Sequence, residues 1–134
     1  MATTKTALVT GGSRGLGKDM ALSIARKGLD VVITYRSEKG GADDTVRQIE
    51  ALGRRALALP LDLSVAGAAT AFATQLQEAL QPWGGKGIDY IVNNAGIGGN
   101  HPFGTVTKEV FDEFLNVHYK GVFFLTQALL PQLN

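Results

Sequence analysis

Thr10-Gly11-Gly12-Ser13-Arg14-Gly15-Leu16-Gly17 closes a short apolar run and opens a segment in which Leu16, Met20, Ala21, Ile24 and Ala25 recur at helical spacing. The chain must therefore turn from strand to helix within a few residues. Glycine reaches the φ > 0 conformations that such a turn needs, and its missing side chain lets a backbone come close to a ligand. The helix that follows aims its unpaired N–H groups and positive dipole end into the same gap, where a diphosphate finds donors and favourable charge. Seventeen glycines in 134 residues are close to twice the ordinary share of about 7%. Their spacing here points to a phosphate site rather than to an idle turn.

Two other phosphate loops can be set aside. Residues 12–18 spell G-x-x-x-x-G-K, but Asp19 follows where a triphosphatase loop needs a Ser or Thr hydroxyl on magnesium. A carboxylate at the positive helix start would compete with the phosphates. The pattern G-x-G-x-x-G also fails, because Gly15-Leu16-Gly17 is followed three residues later by Met20. What stands is T-G-x-x-x-G-x-G.

Outward from this loop, strand-like runs at residues 6–10, 30–35, 56–61 and 88–93 alternate with segments of helical length. Gly28 sits where the first helix should stop. A second helix is expected over residues 41–52, with Val46, Ile49 and Leu52 inward and Gly53 after it. In the third, Val65, Ala69, Phe72, Ala73, Leu76 and Leu80 make one face, and Ser64 is placed to cap its start. The last helical stretch runs over about residues 107–133, interrupted at Gly121 and ending at Pro131. This alternation predicts one α/β domain over residues 1–134, a parallel sheet covered on both faces, because parallel neighbours need a crossover. Leu8-Val9, Val31-Val32-Ile33 and Ile91-Val92 are continuously apolar, as strands buried on both sides should be. Loops are expected at residues 81–87 and 96–104.

Composition narrows the function classes. With 45% hydrophobic and 19% charged residues the balance is globular rather than disordered. No run approaches the roughly 18 apolar residues of a membrane span. Thirteen Lys+Arg and twelve Asp+Glu give a formal net charge of +1, and their scatter excludes the dense basic stripe of a nucleic-acid binder. The absence of cysteine excludes disulfides, thiolate catalysis and Cys-ligated metals. His101 and His118 are too few for an ordinary histidine metal site, so no metal ligand is assigned, although carboxylate-bound magnesium is not excluded by that count. Met1-Ala2-Thr3-Thr4-Lys5-Thr6 leads into the first strand without the pattern of a signal peptide. A reducing, cytoplasmic setting is expected.

Besides the glycine turn, the chain carries Leu61-Asp62-Leu63 after the third strand and Asn93-Asn94-Ala95-Gly96 after the fourth. It also carries Lys120-Gly121-Val122-Phe123-Phe124 with Thr126-Gln127 in the last helix. With these motifs in this order and spacing, the chain resembles the short-chain dehydrogenase/reductase family along its whole length. The resemblance implies a Rossmann-type doubly wound parallel sheet in three α/β/α layers, here truncated after the fourth strand and its helix. In that fold the cofactor lies across the carboxyl ends of the strands. By resemblance Gly11, Ser13, Arg14, Gly15, Leu16 and Gly17 surround the diphosphate and the adenosine ribose. Asp62 would meet the adenine amino group, with a backbone contact from Leu63, and Asn93, Ala95 and Gly96 would run under the nicotinamide-side ribose. Plainer roles stand beside these: Asp62 as a helix-entry carboxylate, Asn93 as a tie between strands.

The choice of cofactor follows from residues 35–37. An NAD site wants a carboxylate near the end of the second strand for the ribose 2′-hydroxyl. This chain reads Tyr35-Arg36-Ser37 there, and Arg36 offers a guanidinium fork to a 2′-phosphate with Arg14 as a second positive charge. NADP(H) is expected, and Glu38 keeps NAD(H) as the lesser alternative.

Tyr35 and Lys39 spell Y-x-x-x-K, the family's acid/base pairing, but they fall at a strand end on the adenosine side and are set aside as a decoy. The family's catalytic Ser, Tyr and Lys lie beyond the matched stretch, and no second Y-x-x-x-K occurs. The 134 residues are therefore expected to hold cofactor without protonating a carbonyl. The family's catalytic Asn precedes Lys-Gly by two residues, which puts His118 in its place and Asn116 off it. A histidine can donate into a water-linked relay, although its single ring N–H lacks the amide's paired donor and acceptor. A packing or surface role for His118 is the alternative. The resemblance implies hydride transfer with a small-molecule carbonyl or alcohol, and a homodimer or homotetramer at full length. Phe111, Phe114, Phe123, Phe124 and Leu129 would then face further helices and a second subunit. The competing class is a non-catalytic NADP(H)-binding module or oligomerisation partner.

Overall fold

A computed structural model describes residues 4–97 and 100–134. Met1, Ala2 and Thr3 of the N-terminal lead, and Gly98 and Gly99 of the expected 96–104 loop, lie outside the described residues. Four parallel strands, β1 (Thr6–Val9), β2 (Asp30–Tyr35), β3 (Ala56–Pro60) and β4 (Tyr90–Val92), stand in the order β3-β2-β1-β4. Register pairs Thr6 with Asp30, Val31 with Ala56 and Ala7 with Tyr90. Helices α1 (Gly15–Arg26) and α2 (Lys39–Ala51) cover one face; α3 (Ala68–Ala79) and α5 (Val122–Leu129) cover the other.

Alternation along the strands assigns the two cores. Val9, Val31 and Ile33 pack with Ala21, Leu22, Ala25 and Ile49, whereas Leu8 and Val32 pack with Phe72, Leu76, Leu125 and Leu129. Phe72 is essentially buried, and a side chain so placed stabilises the fold by about 1.5–3 kcal/mol. Ile91 and Val92 are only half-buried, because β4 is the edge strand. The double burial expected of that run does not hold. Ile88 falls outside β4 and instead forms an isolated parallel bridge with Leu133.

Three helix faces also differ from expectation. Leu16 is exposed, and Leu22 takes the inward place in α1. Leu52 lies past the end of α2 and is largely exposed. Ser64 does not cap α3, whose N-cap is Gly67 at φ 78°. The Asp62 carboxylate captures Ser64 in its own turn, accepting from its N–H at 3.0 Å and its O–H at 2.6 Å, and Val65 is left exposed. The last stretch is helical throughout: α4 (Lys108–Leu115), a π-helical segment Asn116–Gly121, then α5. Gly121 does not break it; it allows close approach, since a Cβ there would meet Leu63 Cβ at 2.8 Å.

Candidate functional site

The strand order reverses between β1 and β4, and a cleft of about 670 Å³ opens at the carboxyl ends of the strands around that point. Its floor is the glycine turn. Gly11 adopts φ 71° and donates its N–H to Thr34 Oγ1 at 3.1 Å, while the Gly12 N–H reaches the Thr34 carbonyl at 2.9 Å. Thr45 Oγ1 donates to the Gly12 carbonyl at 3.0 Å. From the other side, Asn94 Nδ2 donates to the carbonyls of Thr10 and Gly11, both at 3.2 Å, and Thr10 Oγ1 accepts from the N–H groups of Asn94 and Ala95. Both strands flanking the turn thus hold it in one shape.

That shape suits an anion. Helix α1 starts at Gly15 with no side chain capping it and no acidic residue in its first turn. Gly15 has φ 59°, and the space a Cβ would take is open. At Gly17, by contrast, a Cβ would run into the Gly11 carbonyl, so this glycine seats the helix against the turn. The donors of a helix N-terminus, left without a protein partner, are an anion site. Lys18, the lysine of the G-x-x-x-x-G-K reading, turns away to Asp44 of α2 at 3.0 Å.

The end of the cleft beside β2 and β3 is a charged rim. Arg36 Nε donates to Asp62 Oδ2 at 3.3 Å, and its other arm lies 3.9 Å from Glu113 Oε1 on α4. Arg14 faces Glu38 at 4.0 Å. Burial pushes the Asp62 carboxyl up, but hydrogen bonds from Ser64 and the Arg36 charge outweigh it and hold its pKa below the usual carboxylate value.

Of the residues singled out from sequence, Gly11, Ser13, Arg14, Gly15, Leu16, Gly17, Arg36, Asp62, Leu63, Ala95 and Gly96 line this cleft. Asn93 does not; it is exposed, and the tie between strands belongs to Asn94, the next residue, whose side chain points the other way. His118 is not among the lining residues either. Its ring stacks on Phe114 at 5.4 Å and covers Gly96, and its Nε2 lies 2.9 Å from the Ile97 carbonyl and 3.1 Å from the Ile97 N–H. Tyr35 ends β2 and Lys39 opens α2, so the two do not share a helical turn. Sequence reasoning gave no role to Thr34, Thr45 or Glu113. Thr34 alone carried a signal, as a polar residue on a buried strand.

The chain is similar to known proteins over nearly its whole length. The family model described as short chain dehydrogenase matches residues 5–134. L-rhamnose 1-dehydrogenase (NAD(P)(+)) of Sphingomonas sp. is 37% identical, over 96% of this chain and 49% of its own length. A short chain dehydrogenase from Burkholderia cenocepacia, solved in complex with NADP, is 39% identical with a TM-score of 0.86, over 97% of this chain and 51% of that one. A landomycin C-6 ketoreductase with bound NADP and rabelomycin is 34% identical with a TM-score of 0.93, over 98% and 54%. The chain spans about half the length of such relatives.

Proposed function

The chain belongs to the short-chain dehydrogenase/reductase family, an oxidoreductase family, and on that footing we propose that its cleft binds NADP(H) as the cofactor half of a carbonyl reductase or alcohol dehydrogenase. The observation that carries this reading is the uncapped, acid-free start of α1 at the strand switch point, shaped by Gly11 and Gly15. The N–H groups at Gly15, Leu16 and Gly17 hold the diphosphate, with Ser13 and Arg14 beside it. Arg36 and Arg14 take the 2′-phosphate, and Asp62 with Leu63 borders the adenine. Ala95 and Gly96 flank the nicotinamide-side ribose, on a loop that Asn94 and Thr10 keep in place. The nicotinamide, when bound, supplies or accepts the hydride. His118 acts as a buttress of that loop, because its ring is engaged with Ile97 and Gly96. In a longer homo-oligomeric protein the exposed Phe111, Phe123 and Phe124 would be covered.

A titration tests the reading. The 134-residue chain should bind NADPH more tightly than NADH. Arg36→Asp should weaken NADPH by about 10- to 100-fold, the worth of a charge-assisted contact, and leave NADH nearly unchanged. Equal losses for both cofactors would reject the 2′-phosphate assignment. The second reading is a non-catalytic NADP(H)-binding module. Tight NADPH binding by a polypeptide whose reading frame ends at Asn134, without carbonyl reduction, would select it.

A further inference from the structure

The rim at the adenosine end holds more negative than positive charge. Arg14 and Arg36 face Glu38, Asp62 and Glu113, so two guanidiniums serve three carboxylates. Asp62 and Glu113 are not equivalent partners of Arg36. Asp62 Oδ1 is anchored by the N–H and O–H of Ser64, and its Oδ2 accepts from Arg36 Nε within hydrogen-bond distance. Glu113 reaches Arg36 across the cleft from α4 at 3.9 Å, too far for a hydrogen bond. Among the described residues that is the single ion pair recorded for its side chain, which is half exposed. Asp62 therefore fixes the guanidinium through Nε, and Glu113, which also lines the cleft, lies beside its Nη2.

A phosphate dianion that binds Arg36 through Nη2 comes beside that carboxylate. It meets the Glu113 carboxylate there, as a rival for the donors and as a like charge. Resting on the NADP(H) reading above, we propose that Glu113 is a specificity-determining residue of the cleft: its carboxylate stands in for a phosphate on Arg36 and lowers affinity for 2′-phosphorylated adenosines, not for those with a free 2′-hydroxyl. Displacing Glu113 costs little because its contact is exposed and long. Its repulsion persists after displacement, because α4 keeps the carboxylate at the rim.

The test compares the 134-residue chain with Glu113→Gln and Glu113→Asp by calorimetric titration of NADPH, NADH, 2′,5′-ADP and 5′-AMP. Removing one exposed like charge should tighten NADPH and 2′,5′-ADP by about 3- to 10-fold in Glu113→Gln. NADH and 5′-AMP should stay within about twofold. Glu113→Asp keeps the charge and should follow wild type for all four, and the gain in Glu113→Gln should shrink at high salt. An unchanged or weaker NADPH constant in a Glu113→Gln protein that melts like wild type overturns the inference, as do equal gains for phosphorylated and unphosphorylated ligands. If NADPH binds in an Arg36-dependent way but ignores Glu113, this inference falls and the cofactor reading stands. If no variant binds NADPH or 2′,5′-ADP, both fall.

Discussion

Arginine meets aspartate at both ends of the same sheet, and the two meetings leave different things undone. At the amino end of β2, Asp30 has no exposed surface. Its Oδ1 accepts from Arg54 Nε at 3.1 Å and from the Arg55 N–H at 2.9 Å, and its Oδ2 accepts from Arg55 Nε at 2.9 Å with Arg55 Nη2 as an ion-pair partner at the same distance. The Arg55 guanidinium in turn lies 4.9 Å over the Trp83 ring. At the carboxyl end, Arg36 spreads between Asp62 and Glu113 at 3.3 and 3.9 Å, with all three side chains partly solvated. The first arrangement uses up its acceptors and ties the start of β2 to the start of β3. The second holds a cation in place with one good bond and leaves its remaining donors exchangeable. The same chemistry serves fold at one end and, on the NADP(H) reading proposed above, recognition at the other, and burial separates the two.

The sharpest way to break this contrast is to remove the closed pair. Asp30→Ala should destabilise the protein by about 2–4 kcal/mol, since it unpairs a buried strand start and orphans the Arg55 N–H. Urea unfolding measures this, and the folded fraction should titrate NADPH as wild type does. A loss under about 0.5 kcal/mol would place Asp30 among ordinary surface ion pairs. Gly17→Ala comes next and works at the open end. Its Cβ meets the Gly11 carbonyl, so turn and helix must part, at about 1–3 kcal/mol of stability. NADPH affinity should fall by about tenfold or more, equivalent to 1.4 kcal/mol. Gly17→Ala with unaltered binding would show that the turn does not need its present shape to hold the diphosphate.

How much of each end could be read beforehand follows from how local its causes are. The apolar run of β2 and the start of α1 depend on neighbours in sequence, and both stand where periodicity and glycine spacing put them. The start of α3 did not follow, because the Ser64 hydroxyl, read as an acceptor for the helix N–H groups, turns instead to Asp62 and donates to it. Asn93 and Asn94 differ only in the direction of the chain as it leaves β4, which composition does not reveal. Glu113 was silent for a stronger reason. Its meeting with Arg36 joins residues from two elements far apart in sequence, and it exists only once α4 has folded over the cleft. The π-helical segment before Gly121 and the packing of that glycine on Leu63 are likewise products of tertiary fit.

The smallest effect separates the two ends by acid. Burial raises the Asp62 carboxyl, while the Ser64 and Arg36 contacts lower it further than burial lifts it. Asp44 is also held low, first by its hydrogen bond from Lys18 and then by that from Gln48. A carboxyl whose folded pKa is depressed takes up its proton more readily in the unfolded chain. The stability it gives is complete above the unfolded value of about 4 and drains away as pH falls through the lower folded value. With Asp62 one-third exposed and Arg36 half exposed, screening by solvent keeps its share below about 1 kcal/mol. Asp62→Asn should therefore flatten part of the decline in urea midpoint between about pH 5 and pH 3, with little change near neutrality beyond the lost pair. An acid profile that Asp62→Asn leaves unaltered would mean that Ser64 and Arg36 lie against this carboxylate without binding it. Arg36 would then have no anchor, and the open end would owe its exchangeability to mobility of the arginine rather than to a fixed guanidinium with an arm to spare.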